Sequence, residues 1–581
     1  MHSVLRMAVG LIAALGLGAD QPAAAGNRLA GHPSPYLAMH AQDPVQWREW
    51  DEAALAEARR QNRLLLVSVG YFACHWCHVM QRETFLDPEA ARLINAEFIP
   101  VKVDREVNAA LDTALQDFAQ RVGGRSGWPL NVFVTPEGHP LFAMQYAPRA
   151  EFMRTAQELG ARWRQNAAGL AALARAASAA PEPAPPPADL PGAFARRAQE
   201  EADPLRGGFG QTAKFPLVPQ LAAVLELQRA APQAERAEFL RLTLDQMAGQ
   251  ALYDHVSGGF FRYTVDPDWQ APHFEKMLYD NAQLAALYLR AAEALGEPRY
   301  RAVALETLDF LLAQMREGPA FVASLSAVDR AGVEGGAYLW QAEAIRALLS
   351  PQEWQAVRRL WVLDRPAEFE AGYLPAPVSG PGAGEAALVR QALARLRAAG
   401  KWQGIPRDGK QLAGWNGLAL AALAEAGRHE PRYAEAAAGL YRFLRERLWD
   451  GRRLHKGRSA GQSLGGAELE DYAYAALGVW RYARAQGDAQ ARRFALELQR
   501  QAWRRFHRDG AFRLEERALL AAAADAWEDG HTPAPAAVLV GLGLESQDAR
   551  LAGLAAKALA QARRGAGGDP FWRASLAVLA D

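Results

Sequence analysis

The chain has 581 residues, with 65 basic and 65 acidic side chains, so its formal charge is zero and neither a basic nucleic-acid-binding surface nor an acidic tail is indicated. Half of the residues are hydrophobic, enough for two or more domains with sizeable cores. Only two cysteines are present, which excludes a structural disulfide framework.

Arg6, an apolar stretch over residues 8–17 and Ala23-Ala24-Ala25 have the layout of a signal peptide spanning residues 1–25, which predicts export, to the periplasm in a bacterial setting. No segment offers the roughly 20 uninterrupted apolar residues of a stable membrane span. Residues 26–170 read as one domain. A Pro- and Trp-rich lead-in containing Trp47 and Trp50 ends in a helix at 52–61. Then follow a strand at 64–69, helices at 74–84 and 88–97, a strand at 98–103 and a helix at 107–121. Strands at 130–134 and 140–146, joined by Pro136-Glu137-Gly138-His139, and a helix at 150–165 complete the domain. This β-α-β-α-β-β-α order is thioredoxin topology.

Both cysteines stand in Cys74-His75-Trp76-Cys77-His78, where the first strand gives way to a helix. A strand running into a helix that opens with C-x-x-C is the thioredoxin arrangement. Cys74 at the helix N-terminus gains from the free amides and the backbone dipole, and Cys77 one turn on would resolve a mixed disulfide. His75 is expected as a polar or cationic partner that favours the thiolate. Trp128-Pro129, just before a strand, is expected to shape the substrate groove, with Trp76 and His78 as neighbours. Cys74, Cys77 and His78 also spell the c-type haem signature, but a haem needs a loose exposed loop where this motif sits in an apolar β-α unit. A zinc site would draw a second ligand pair from elsewhere in the chain. The expectation is therefore no metal and no cofactor.

Residues 171–192 form a Pro/Ala-rich linker. From 193 to 581 apolar residues recur at helical spacing in about a dozen segments: 221–228, 239–252, 278–295, 300–315, 343–349, 352–362, 386–399, 418–426, 433–448, 469–485, 489–506, 534–544 and 548–563. No short repeat period is evident. Paired helices with Gly- and aromatic-rich turns indicate an α/α toroid, with a helical solenoid as the alternative.

Several segments carry a family resemblance. Ser34-Pro35-Tyr36-Leu37, Asp43-Pro44-Val45-Gln46-Trp47, the cysteine motif, Val103-Asp104-Arg105-Glu106 and Gly127-Trp128-Pro129-Leu130 lie before the linker. Gly207-Gly208-Phe209-Gly210, Lys214-Phe215-Pro216, Gly258-Gly259-Phe260, residues 272–281, Trp415-Asn416-Gly417 and Asp471-Tyr472-Ala473 lie after it. Together they resemble the thioredoxin-domain family that includes spermatogenesis-associated protein 20. The resemblance implies a multidomain chain: an α/β thioredoxin-like domain followed by an all-α (α/α)6 toroid similar to sugar epimerases and glycosidases. Val107-Asn108-Ala109, Met144-Gln145-Tyr146-Ala147-Pro148 and Pro533-Ala534-Pro535-Ala536 depart from the family pattern.

A second candidate site lies in the toroid. Tyr263, Asp266, Trp269, His273, Glu275, Asp280 and Asn281 combine aromatic faces with carboxylates and a histidine, a set suited to sugar chemistry. Lys410, Asn416 and Asp471 are candidate contributors from other turns. Packed helix starts, with Glu275 near an N-terminus and Lys276 paired to it, are the bland alternative. His531 and Asp529, in a Pro-rich loop, carry no evident chemistry, and Asp104-Arg105-Glu106 reads as a charged strand end or cap, with a contact to the toroid as the alternative.

Three functions stay open at this stage. The leading one is a thiol–disulfide oxidoreductase acting on client protein thiols or disulfides with a recycling partner. The others are a carbohydrate-active or carbohydrate-binding toroid with a regulatory dithiol, and a non-catalytic scaffold.

Overall fold

The computed structural model describes residues 27–178, 187–377, 384–522, 524–565 and 567–579. The expected leader at 1–25 and most of the linker's prolines lie outside the described residues.

The first domain contains α1 (Pro35–Met39), α2 (Glu52–Gln61), β1 (Leu65–Gly70), α3 (His75–Met80), α4 (Pro88–Glu97), β2 (Ile99–Asp104), α5 (Ala109–Gly123), β3 (Leu130–Val134), β4 (Pro140–Met144) and α6 (Arg149–Ser178). The sheet order is β2-β1-β3-β4, with β1 parallel to β2 and antiparallel to β3. β1, β2 and β3 are buried along their whole length, which is why they read as apolar runs without alternation. On one face Leu66, Phe98 and Phe133 share a core with Ile94, Phe152 and Trp163. On the other, Val67, Val69, Val101 and Val103 pack with Leu55 of α2 and Leu111, Leu115 and Phe118 of α5. Trp47 is fully buried in the first core and Trp50 leans on the second, so the lead-in is part of the domain. α6 breaks at Asn166 but continues to Ser178, beyond residue 170 where the sequence placed the end of this domain.

The second domain contains α7 (Leu190–Glu201), α8 (Val218–Ala230), α9 (Ala234–Gly249), α10 (Leu278–Ala294), α11 (Pro298–Phe310), α12 (Ala342–Leu348), α13 (Pro351–Leu360) and α14 (Ala386–Ala398). It continues with α15 (Ala413–Ala426), α16 (Pro431–Arg447), α17 (Leu469–Gln486), α18 (Ala489–Phe506), α19 (Pro535–Glu545), α20 (Ala549–Gly565) and α21 (Ala574–Ala577). Helices α8, α10, α15, α17, α19 and α21 touch in that order, and α21 returns to α8. Helices α9, α11, α16, α18 and α20 each back onto the inner helix before them, while α7 packs on both α8 and α21. The ring is closed: six inner and six outer helices make an (α/α)6 toroid, not a solenoid. Inner helices α10 and α15 touch neighbours on all sides and are buried on nearly every face.

Two corrections to the sequence reading follow. Helices α12–α14 stand outside the ring, gathered around Ile345, Val357, Trp361 and Leu396 with Trp340. The twelfth ring helix is instead α7, whose Pro191-Gly192 start resembled linker. Asp189 caps it by accepting the Gly192 amide, and proline is well tolerated in a first turn.

The toroid also reuses one turn that no fixed period betrays. Lys214 Nζ donates to Asp203 (2.9 Å) and to the Gly207 and Gly210 carbonyls, and Asp203 N–H donates to Gly208 O. Likewise Lys276 Nζ donates to Asp254 (2.7 Å) and the Gly258 carbonyl, and Asp254 N–H donates to Gly259 O. The Gly-Gly-Phe motifs are thus ammonium-centred turns in front of inner helices. The interval from Asp to Lys differs between the copies, so sequence periodicity misses them.

Candidate functional site

β1 ends at Gly70, and the chain turns through Tyr71 into α3, which Cys74 caps: its Sγ accepts the Cys77 amide at 3.2 Å. The two cysteines form a disulfide, with their Cα atoms 5.3 Å apart. Gly70 is required by this geometry, because a Cβ there would lie 2.8 Å from Cys77 Sγ and closer still to the Tyr36 hydroxyl. Both cysteines are buried, at 3% and 2% exposure, while Trp76 beside them is 44% exposed and packs on Tyr146. The Trp128–Pro129 peptide is cis. Trp128 lies edge-on to Tyr71, donates from Nε1 to Asp112 (2.8 Å) and carries the Arg105 guanidinium over its ring at 4.2 Å.

The toroid supplies the rest of the site. The Ala327 amide donates to Ala73 O, adjacent to Cys74. Glu334 joins two histidines, lying 3.4 Å from His75 Nε2 and 3.4 Å from His273 Nε2. His273 Nδ1 is 3.1 Å from Glu275, whose other oxygen accepts from the Tyr71 hydroxyl (2.7 Å) and from Arg262 (3.3 Å). Tyr263 is stacked between Phe215 and His273. The dithiol and the second candidate site therefore converge on one interdomain seam.

Charge in this seam is set by burial and close pairing. Burial, with His273 nearby, lowers the His75 pKa to about 4, so the imidazole is neutral, contrary to the cationic partner that the sequence allowed. Burial would also lower His273, but the Glu275 and Glu334 carboxylates together outweigh it and the pKa is raised. Burial would raise Glu275; His273 and Arg262 bring it down to about 2.

The other candidates do not join this seam. Asp266 closes a turn by accepting the Asp268, Gln270 and Ala271 amides, and Trp269 is fully buried and donates to Arg206 O. Asn281 ties α10 to both backbone groups of Phe260, and Asn416 ties α15 to those of Phe321. Asp280 is buried near Arg262 and Arg105, and burial raises its pKa to about 7. Asp471 pairs with Lys456 at 3.0 Å. Glu468, Glu470 and Asp471 have metal-like spacing, but the Lys456 ammonium sits 2.9, 3.2 and 3.0 Å from them, where an ion would stand. The haem pattern fits poorly too: His78 Nε2 donates to Phe72 O at 2.8 Å, and both sulfurs are committed to each other.

Of the two readings of Asp104-Arg105-Glu106, the contact with the toroid is the one formed, and Lys410 makes it. The Lys410 ammonium, from the toroid, contacts Asp104, Glu106 (2.9 Å) and Asp408 (2.9 Å), and all four side chains are wholly buried. The strand end is an interdomain clamp. His531, to which the sequence assigns no chemistry, lies at the toroid's mouth beside Trp128, Phe215 and Tyr279. Lone polar residues in proline-rich or strand-end sequence give no local signal of such partners.

Human spermatogenesis-associated protein 20 is 30% identical over 544 residues, covering 81% of this chain and 69% of that protein. The chain belongs to the spermatogenesis-associated protein 20 family. Residues 26–179 also match the DsbH-type thioredoxin family described as "Protein of unknown function, DUF255". Among solved structures, cellobiose 2-epimerase from Spirochaeta thermophila DSM 6192 is similar at 16% identity and a TM-score of 0.45, covering 66% of this chain and 92% of that one. A thioredoxin from Thermus thermophilus is similar at 25% identity and a TM-score of 0.17, covering 20% of this chain and 87% of that one. Among the described residues, no helix is long and apolar enough to cross a membrane.

Proposed function

We propose that the chain is a thiol–disulfide oxidoreductase whose dithiol works beneath a cover supplied by the toroid. The observation that carries this reading is the position of Cys74: it caps α3, its sulfur takes an amide hydrogen bond, and Cys77 is within bonding reach. That environment favours a thiolate. In the reducing direction, the Cys74 thiolate attacks a client disulfide. A Cys74–client S–S bond forms, and the other client sulfur leaves as a thiolate that takes up a proton. The Cys77 thiolate then attacks Cys74, the mixed bond breaks, and the client departs with both sulfurs reduced while Cys74–Cys77 is oxidised. A partner dithiol restores the pair. Because both sulfurs are buried, a client reaches them once residues 327–334 part from Ala73 and His75.

Exchange assays on the full chain with a disulfide-bonded protein substrate test the reading. Cys74→Ser should lose the activity, and Cys77→Ser should accumulate a mixed disulfide visible by non-reducing mass spectrometry. Full activity in Cys74→Ser would end it. Export belongs to the same proposal, supported by the residue 1–25 pattern; amino-terminal sequencing of protein from the extracytoplasmic fraction should find a start near Gly26.

A further inference from the structure

On the far side of Trp128, a cavity of about 500 Å³ lies between α5 and the C-terminal turns of the toroid, within the size range of small-molecule sites. Trp128, Tyr279, Trp415 and Tyr474 line it with aromatic surface, and exposed Thr113, Gln120 and Ser126 mark its opening to solvent.

Its charge is one-sided. Most of the lining carboxylates have a partner. Glu106 meets Lys410, Asp112 accepts from Trp128, and Glu468 and Glu470 share Lys456. Asp525 meets Arg573, and Asp529 accepts the Ala534 and Ser575 amides. Two are left over: among the described residues, neither the Asp117 nor the Glu528 side chain has a hydrogen bond or an ion pair. Asp117 is half-buried, and burial raises it to about 7 with Glu528 adding like-charge repulsion, while Glu528 stands exposed at the rim. Of the lining residues only Arg105 is a permanent cation, and it is stacked on Trp128. Burial holds His531 far below its ordinary value, so it is neutral. Independently of these two, Glu106 is 2% exposed and lies 2.9 Å from Lys410, yet neither of its oxygens has a hydrogen-bond donor. An aromatic-walled pocket with two carboxylates that no protein cation pairs has room for a cation that the protein does not itself supply.

We propose that this cavity binds a small organic cation, its ammonium group set against Asp117 and Glu528 and its body against Trp128, Tyr279 and Trp415. Linear polyamines and amino sugars share that chemistry. Nothing in the proposal depends on the dithiol.

The test is calorimetric titration of the full-length disulfide protein with spermidine, glucosamine and N-acetylglucosamine at matched ionic strength. At least one of the two cations should bind saturably, and the tighter one identifies the ligand body as linear or ring-shaped; N-acetylglucosamine should bind far more weakly. The double variant Asp117→Asn/Glu528→Gln should lose roughly ten- to a hundredfold in affinity, the scale of one charge-assisted hydrogen bond. Its melting temperature should not fall, since neither carboxylate has a protein partner. The single substitutions carry the same test at smaller effect. Failure of both cations to bind, equal binding of N-acetylglucosamine, or undiminished affinity in the double variant would each overturn the proposal.

Discussion

Replacing Lys410 with methionine removes the ammonium that faces Asp104, Glu106 and Asp408 while roughly preserving side-chain volume. Burial already lifts Glu106 to about 8, so in the wild type it holds a proton at pH 7, and Lys410 answers the aspartates. Without the lysine, the least costly response is protonation of an aspartate. This costs about 1.4 kcal/mol per pH unit over the roughly three units between pH 7 and the ordinary aspartate value, or about 4 kcal/mol. That agrees with the roughly 3–5 kcal/mol expected when one partner of a buried ion pair is deleted. The sign of the pH dependence follows. The aspartate's folded-state pKa in the variant is raised, so its stability is retained below the unfolded value and lost as pH rises through the folded one. The deficit relative to wild type should therefore shrink to about 1.4 kcal/mol at pH 5. Urea unfolding of both proteins at the two pH values, followed by tryptophan fluorescence, measures it. A deficit below about 1 kcal/mol at pH 7, or an equal deficit at both pH values, would refute this account of the clamp.

Three further outcomes are expected. Glu334→Ala removes the carboxylate bridging His75 and His273, and should speed alkylation of the reduced cysteines; an unchanged labelling rate would show that this contact does not limit access. His273→Gln should destabilise most below about pH 6.5, with the gap narrowing as pH rises through the raised histidine value; Glu275, near 2, stays ionised throughout, so a flat difference between about pH 6 and pH 9 would contradict the pairing. Gly417→Ala puts a Cβ 2.3 Å from Tyr474 O at the α15–α17 crossing and should cost about 1–3 kcal/mol in chemical denaturation, whereas a neutral result would mean that the helices are not in backbone contact.

The local chemistry of the chain was legible wherever a signal is contained within a few residues. Periodicity located β1, α4 and β3 almost to the residue, because an apolar run bounded by turn residues suits few backbones. The C-x-x-C after β1 marked the dithiol on the same grounds. Residues whose partners are distant in sequence were not legible: Glu275 with Tyr71, His75 with Glu334, and Lys410 with Asp104. Helix α7 was missed because its proline start and the linker share a composition. The sequence by itself determined two domains, their secondary structure and a cysteine pair at a helix start. Tertiary structure alone decided that the ring closes through the short α21, that the thioredoxin-like domain sits on the toroid's mouth, and that both candidate sites form one seam. The physical reason is range: hydrophobic periodicity and capping act over a few residues, whereas a buried charge is stabilised by whatever counter-charge the fold brings beside it, from any distance along the chain.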